Sequence, residues 1–309
     1  IMKVSDALTD LAELVLKTAL DVAWRDLAAR HGSPFYETSG KRHAAGFGVI
    51  GYGKLGGIEL SYGSDLDVVF LHDSTGDCQQ TDGEKPLDNT VFFGRLVRRL
   101  VHFLTTRTSS GMLYEVDTRL RPSGHSGLLV VSTEGFEKYQ EENAWTWEHQ
   151  ALLRSRPVAG SKAIASKFDR IRAETLRSRV RRESLLEDVV SMRDKMREQL
   201  DKSDADSFDL KQGVGGIADI EFLVQYLVLK HAEENAALFF YSDNIRQLDA
   251  LRDCQRLSAN DVAELQGCYK TFRLRSHRLA LDGRPAVVDG REFAAERQQV
   301  TAIWTREMK

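Results

Sequence analysis

Two aspartates stand two positions apart at the start of an apolar run. Asp65 precedes the segment 66–71 and Asp67 lies within it, and the last four residues of that segment are all apolar. Such a run predicts a buried strand, in which positions 65 and 67 point to the same side. Two carboxylates on one side of a strand end are oxygen ligands of the kind that Mg²⁺ prefers. An isolated pair of this kind is more often solvated, so a metal site needs further ligands.

A third aspartate lies in a segment of alternating character. Residues 114–120 alternate between Tyr, Val, Thr, Leu and Glu, Asp, Arg, which predicts a strand. Asp117 shares one face with Glu115, Arg119 and Arg121, and burying such a face without partners would be costly. It should therefore face water or line a site, in which the aspartate would hold metal and the arginines phosphate oxygens. An exposed sheet face is the alternative.

A glycine-rich segment comes before the aspartate pair. Gly53, Gly56 and Gly57 surround Lys54, and Ser64 stands next to the first aspartate. Glycines let backbone N–H groups approach a phosphate, and a lysine supplies a positive charge. The segment is neither a Walker loop nor a Rossmann fingerprint, because the lysine and the carboxylates stand at the wrong positions. A glycine cluster alone usually marks a turn, and only its combination with the aspartates favours phosphate binding.

A second glycine pair lies much later in the chain. Gly215 and Gly216 allow positive φ at a junction between a loop and a helix, and Asp219 and Glu221 fall in or near the first helical turn. From these residues alone, a capped helix end explains the two carboxylates as well as a functional role does.

The hydrophobic pattern divides the chain into two parts. Up to about residue 165, helices are predicted over 5–30, 90–106 and 134–148, a loop over 75–89, and strands over 47–50, 66–71, 114–120, 128–131 and 153–158. Beyond it only helices are predicted, over 174–202, 217–232, 243–253, 259–282 and 291–308. The sequence therefore predicts an α+β protein, with a catalytic domain over 1–170, including the N-terminal helix, and a helical bundle domain over 171–309.

Composition excludes several classes of protein. The 309 residues include 43 basic and 46 acidic ones, a net charge of −3, so a chain-wide field for nucleic acid is excluded. Three dispersed cysteines exclude a disulfide scaffold and favour a reducing cytoplasm. No apolar window is long enough to span a membrane, and the start Ile1-Met2 suggests a fragment of a longer protein. Arg154 and Arg156 are expected at the surface.

Together these motifs carry a resemblance to a known family. Ser64-Asp-Leu-Asp67 with a later Asp117 resembles the DNA polymerase β-like nucleotidyltransferases, which have a mixed sheet with flanking helices. The glycine segment 51–60, the segment Val116-Asp-Thr-Arg-Leu-Arg-Pro-Ser-Gly124 and the segment 215–222 are similar to bacterial glutamine synthetase adenylyltransferases, which also remove the adenylyl group. The matching segments extend over most of the chain.

The resemblance implies a reaction and the residues that serve it. ATP and a tyrosine of glutamine synthetase would give an adenylyl-tyrosine and pyrophosphate, with two Mg²⁺ ions, or Mn²⁺, as cofactors. Asp65 and Asp67 would bind both metals, and Asp117 would bind the metal nearer the nucleophile and accept the tyrosine proton. The triphosphate would be held by the glycines and polar residues of the first segment (Gly53, Lys54, Gly56, Gly57 and Ser64), with Arg119 and Arg121 as weaker candidates. The resemblance also makes Asp219 and Glu221 candidates for a wall of the site contributed by the second domain.

The family has two related catalytic halves, and the chain resembles the adenylylating one. The segments 105–111 and 143–151 and Asp219 carry that distinction. The alternatives are the adenylyl-removing half, which performs phosphorolysis, and a non-catalytic module that senses a nucleotide or effector. The resemblance also implies the PII signal protein and glutamine as regulators of the longer enzyme, and neither nucleic acid nor membrane as a partner.

Overall fold

The structure is a computed structural model that describes residues 1–309. Its first part comprises α1 (Met2–His31), β1 (Pro34–Thr38), β2 (Lys41–Ala44), β3 (Phe47–Gly51), α2 (Gly53–Gly56), β4 (Leu66–His72), β5 (Asp77–Thr81), α3 (Asn89–Thr105), β6 (Val116–Asp117), β7 (Val130–Ser132), α4 (Thr133–Glu142), α5 (Thr146–Leu153), β8 (Arg156–Gly160) and α6 (Lys162–Ser178). The second part comprises α7 (Leu185–Leu200), β9 (Ser207–Asp209), α8 (Ile217–His231), α9 (Asn244–Asp253), α10 (Ala259–Leu281), β10 (Val287–Asp289) and α11 (Ala294–Glu307). The α+β class predicted from the sequence is confirmed.

A mixed sheet forms the centre of the first part. Its strand order is β6-β4-β3-β8, and β7 pairs with the other end of β4. The apolar run predicted as a strand is β4, which pairs antiparallel with β3 and parallel with β6. In the parallel register Asp67 lies opposite Asp117, so the sheet itself brings the second and third aspartates together.

The two faces of this sheet pack against different partners. Val49 and Val68 point into a core formed with α1 and α3, whereas Ile50 and Val69 point into a larger core that continues through the helical part. This alternation follows from the period of two along a strand. One face of the central sheet therefore shares its hydrophobic core with helices of the second half.

The predicted division at 170/171 falls inside α6, so it does not coincide with a loop. The two-domain division remains a proposal.

Several element boundaries differ from the sequence predictions. The predicted helix over 174–202 is two helices, because the chain breaks between α6 and α7 and buries Val180 in the break. The predicted helix over 134–148 is also two, α4 and α5, and the predicted strand over 114–120 is reduced to the two residues of β6. Two short strands, β9 and β10, pair within the part predicted to be wholly helical.

A second, three-stranded sheet was not predicted from the sequence. Its order is β2-β1-β5, and β5 lies in the stretch predicted as a loop. Ser39 and Gly40, both at positive φ, form the tight turn between β1 and β2. Every residue of β2 is exposed, so it carries no apolar alternation from which a strand could be predicted. No helix in the structure combines the length and the apolar character that crossing a bilayer would require.

Candidate active site and metal centre

A cleft of about 710 Å³ opens beside the start of β4 and β6. Its other walls are built from α5, α7, α8 and α10, so both halves of the chain contribute. Of the residues predicted from the sequence to serve the site, the following line the cleft: Gly53, Lys54, Ser64, Asp65, Asp67, Asp117, Arg119 and Glu221. Gly56, Gly57, Arg121 and Asp219 do not.

The three aspartates form one cluster in this cleft. Asp65, Asp67 and Asp117 each offer a carboxylate oxygen, and these oxygens all lie within 4.8 Å of one another. Asp65 precedes β4, and the N–H of Leu66 donates to the carbonyl of Glu115 at 2.9 Å, which holds the two chain segments side by side. An all-oxygen donor set at this separation fits a hard divalent cation such as Mg²⁺.

Crowding of like charges changes the titration of the central carboxylate. Burial, together with the charges of Asp65 and Asp117, raises the pKa of Asp67 to about 6. A bound cation would remove this repulsion, because opposite charge favours the ionised carboxylate. The cluster is therefore electrostatically suited to receive positive charge.

The third aspartate already has a positive partner. The Nε of Arg119 donates to the Asp117 carboxylate at 2.7 Å, and the Arg119 backbone N–H donates at 2.8 Å. Hydrogen bonds from Arg119 lower the pKa of Asp117. The Arg119 side chain is 67% exposed, and exposed pairs contribute about 0–1 kcal/mol, so a metal ligated by Asp117 could displace it.

The glycine segment contributes its first two predicted residues to the cleft. Gly53 adopts a φ of 53°, and a Cβ there would lie 2.4 Å from the Asp67 carboxylate, so only glycine fits. The Lys54 side chain forms no salt bridge, and burial lowers its pKa, with Lys211 acting in the same direction. The charges of Glu221 and Asp65 oppose this shift, so Lys54 lies near carboxylates without pairing with one. Ser64 accepts a hydrogen bond from the N–H of Ser61 at 3.0 Å.

Gly56 and Gly57 meet protein rather than open space. A Cβ on Gly56 would lie 2.1 Å from the carbonyl oxygen of Arg154, and one on Gly57 would lie 3.0 Å from the Arg154 guanidinium. These glycines therefore allow another segment of the chain to approach. Arg121 donates to the carbonyl and hydroxyl oxygens of Thr118 at 2.8 and 2.9 Å, so it supports the loop after β6 from the inside.

A network of buried charges forms part of the cleft wall, and no pattern in the sequence indicates it. Arg154 was expected at the surface, but it is buried and donates to Glu59 and, at 2.8 Å, to Glu221. The hydroxyl of Tyr269 donates to the same two carboxylates at 2.8 and 3.2 Å. Glu59 is 1% exposed, so its charge depends on these partners. The network joins the glycine segment to α5, α8 and α10.

The two acidic residues at the start of α8 face different ways. Glu221 borders the cleft; partial burial would raise its pKa, but Arg154 and Lys211 lower it below its usual range. Asp219 lies behind the wall, where Arg193 and Arg197 donate to it at 2.7 and 2.9 Å. Residues two apart on a helix are separated by about 200°, which explains why only one reaches the cleft.

Three further polar residues line the cleft from the helical half. Lys211 precedes α8, and Arg273 and His277 lie on α10. Burial and the charge of Arg273 lower the pKa of His277 to about 4, so this imidazole is neutral at pH 7. No local motif surrounds Arg273 and His277, and only the packing of α10 on the first half reveals their position.

Known proteins resemble this chain over both halves. The family model for glutamate-ammonia ligase adenylyltransferase matches residues 1–171, and the model for PII-uridylyltransferase matches residues 190–285. The chain is 53% identical to the bifunctional glutamine synthetase adenylyltransferase/adenylyl-removing enzyme of Thioalkalivibrio sulfidiphilus, over 100% of this chain and 32% of that protein.

Two further relatives carry the same name. The enzyme of Methylococcus capsulatus is 50% identical over 98% of this chain and 32% of its own length. That of Pseudomonas putida is 48% identical, again over 98% of this chain and 32% of its own length. The chain thus spans about a third of the length of these relatives.

Proposed function

The chain belongs to the glutamate-ammonia ligase adenylyltransferase family, and we propose that it transfers AMP from ATP to a tyrosine of glutamine synthetase. The cluster of Asp65, Asp67 and Asp117 at the floor of the cleft carries this proposal. Adenylyl transfer develops negative charge on the triphosphate, and an oxygen-ligand metal site beside Lys54 is suited to stabilise it. Adenylylation would down-regulate glutamine synthetase, and with it nitrogen assimilation.

In the proposed reaction the tyrosine oxygen forms a bond to the α-phosphorus of ATP. The bond from that phosphorus to the bridging oxygen breaks, and pyrophosphate leaves with the electron pair. Asp65 and Asp67 would hold two Mg²⁺ or Mn²⁺ ions, with Asp117 as a further ligand on the nucleophile side. The metals would supply charge neutralisation and make the phenol, whose ordinary pKa is about 10, easier to deprotonate.

The residues of the chain would bind and orient the reactants. Lys54, the N–H of Gly53 and the hydroxyl of Ser64 would face the triphosphate, and Arg119 would contact it once Asp117 engages a metal. We assign Gly56, Gly57 and Arg121 a supporting role, because their surroundings are protein.

Proton transfer to Asp117 is the least favoured of the roles that the resemblance implied. Arg119 holds the pKa of this carboxyl low, so it is ionised at neutral pH but weakly basic. Asp67, whose pKa lies at about 6 without metal, is the stronger base of the cluster until a cation binds it. We therefore propose Asp117 as a metal ligand first, and as a proton acceptor only where Arg119 has moved away.

Two other functions remain as competitors. An adenylyl-removing half would use phosphate and adenylyl-tyrosine to give ADP, and a non-catalytic module would bind nucleotide without turnover. The segments 105–111 and 143–151 favour adenylylation through the family resemblance alone. We also propose that the PII signal protein and glutamine regulate the longer enzyme, and that it works in the cytoplasm, where ATP and its substrate meet.

The test follows label from the α-phosphate of ATP into glutamine synthetase. The protein should transfer the label only with Mg²⁺ or Mn²⁺, and Asp65→Asn combined with Asp67→Asn should remove transfer while the protein stays folded. Asp6→Asn with Asp10→Asn, two exposed positions on α1, is the matched control. Transfer by the first double variant would overturn the site. ADP formed from adenylylated glutamine synthetase and phosphate, without label transfer, would instead favour the adenylyl-removing half.

A further inference from the structure

One part of the cleft is apolar and lies on three helices. The faces of α5, α7 and α8 meet there, with apolar side chains four positions apart on α5 and on α7 and five apart on α8. The apolar residues concerned are Trp147 and Ala151 of α5, Met192 and Met196 of α7, and Ile217 and Phe222 of α8. Two aromatic rings and two flexible thioethers suit a flat aromatic ligand, because both types pack well against π systems.

Two buried glutamines lie among these apolar side chains and hydrogen-bond to each other. The Nε2 of Gln150 donates to the Oε1 of Gln225 at 2.9 Å, and both residues line the cleft at 4% and 8% exposure. Neither side chain makes another hydrogen bond in the protein. The pair therefore retains a free carbonyl oxygen on Gln150 and a free NH2 group on Gln225, and one N–H of Gln150 is also unused. If both side-chain amides are rotated by 180°, so that oxygen and nitrogen exchange places, the same unused donors and acceptor remain, with the roles of Gln150 and Gln225 exchanged.

We propose that this pair recognises the base edge of the nucleotide, and that the apolar residues around it hold the purine ring. The inference rests on the proposed function, which makes ATP the substrate. Adenine presents an amino donor beside a ring-nitrogen acceptor, and this complements one free oxygen and one free N–H. Buried polar groups with unused hydrogen-bonding capacity discriminate strongly for a ligand that completes their bonds.

The tyrosine ring of the protein substrate is the competing occupant. Its hydroxyl oxygen has to reach the α-phosphate beside Asp65, Asp67 and Asp117 in order to react. That oxygen cannot pair with the glutamines at the same time, so a bound tyrosine would leave both free amide groups unsatisfied. The base of the nucleotide has no such conflict, because its reacting phosphate is separated from it by the ribose.

The experiment compares two ligands that share phosphates but differ in the base. Calorimetric titration measures the Kd of Mg²⁺–ATP and of Mg²⁺–tripolyphosphate for the wild-type chain, for Gln225→Met and for Gln150→Met/Gln225→Met. The double variant removes both partners, which leaves no orphaned amide and protects the fold. Gln266→Met is the matched control, because Gln266 is a partly buried glutamine of α10 outside the cleft.

Loss of two hydrogen bonds to the base should weaken ATP binding by about tenfold or more, while tripolyphosphate binding changes by less than about twofold. The control should bind both ligands like the wild type. Unchanged ATP affinity in folded variants, or an equal loss for both ligands, would overturn the inference. A raised KM for glutamine synthetase with an unchanged Kd for ATP would also overturn the inference, because it would indicate that the tyrosine binds at this subsite. A wild-type chain that fails to bind Mg²⁺–ATP would refute the proposed function itself.

Discussion

Replacement of Asp67 by asparagine should stabilise the metal-free protein at neutral pH while it removes AMP transfer. Carboxylate oxygens of Asp65, Asp67 and Asp117 lie within 4.8 Å of one another, and burial with the repulsion of the other two charges raises the pKa of Asp67 from the ordinary 3.8 to about 6. Since the folded pKa lies above the unfolded value, this group favours folding only while it is protonated. The favourable contribution is complete below about pH 4 and is lost as the pH rises through 6.

The size of the effect follows from the difference in pKa. A rise from 3.8 to about 6 corresponds to about 3 kcal/mol, an upper value because the side chain is only partly buried. Asparagine resembles the protonated carboxyl and does not ionise. Its advantage over the wild type should therefore be about 1–2 kcal/mol at pH 5 and about 2–3 kcal/mol at pH 8.

Urea unfolding in EDTA at pH 5 and pH 8 measures this advantage directly. Asp6→Asn, at an exposed position of α1, is the control and should change the free energy of unfolding by less than about 0.5 kcal/mol. Saturating Mg²⁺ should stabilise the wild type and leave Asp67→Asn almost unchanged, since binding to the folded state alone adds stability. Equal stability of wild type and Asp67→Asn at both pH values would refute the repulsion argument.

Three further changes test the surroundings of the cluster. Arg154→Met should lower the free energy of unfolding by about 3–5 kcal/mol in urea titrations, because it leaves the charge of Glu59 buried without its main partner. Gly53→Ala should reduce AMP transfer about a hundredfold in single-turnover assays, since its Cβ would displace the Asp67 carboxylate. Lys54→Met should raise the KM for ATP about tenfold or more through loss of a charged contact to phosphate, with the thermal midpoint unchanged or higher in the empty protein.

The aspartate cluster was predictable because it depends on local rules. An apolar strand places Asp65 and Asp67 beside each other, and an alternating segment supplies Asp117 for a neighbouring strand. The structure brings all three together through the pairing of β4 with β6. Sequence spacing alone could not specify that register, although the family resemblance implied it.

The roles of the later glycines were not predictable by the same reasoning. A glycine pattern indicates that something approaches the backbone closely, but it does not distinguish a phosphate from another part of the chain. At Gly56 and Gly57 the neighbour is Arg154, about a hundred residues later. Only the antiparallel pairing of β3 with β8 brings that neighbour into place.

The burial of the charged residues could not be predicted from the sequence, for a related reason. Arg154 looks like a surface residue, because burial of a charge depends on partners that lie 95 positions away in Glu59 and 67 positions away in Glu221. Asp219 and Glu221 illustrate the same limit within one helix turn. Both are acidic and adjacent to glycines, yet one pairs with arginines behind the wall and the other borders the cleft.

The position of the glycine segment depends on both halves of the chain. The carbonyl of Gly56 accepts from the hydroxyl of Ser242 at 2.7 Å and from the Nε of Arg156 at 3.1 Å. Glu59 accepts from Tyr269 at 2.8 Å, and its carbonyl accepts from Arg273 at 2.7 Å. A buried ion network contributes little net stability, so we interpret this one as fixing the geometry of the cleft.

A chain cut at residue 170 should therefore lose more than the helical wall. It would leave Glu59 without Tyr269 and Arg273, and it would remove the helical half from the hydrophobic core that contains Ile50 and Val69. We expect fragment 1–170 to lack cooperative unfolding and Mg²⁺–ATP binding, as measured by circular dichroism and calorimetry. A cooperatively folded fragment that binds Mg²⁺–ATP like the full chain would show that the first half builds the nucleotide site alone, and that the buried network serves only to attach the second.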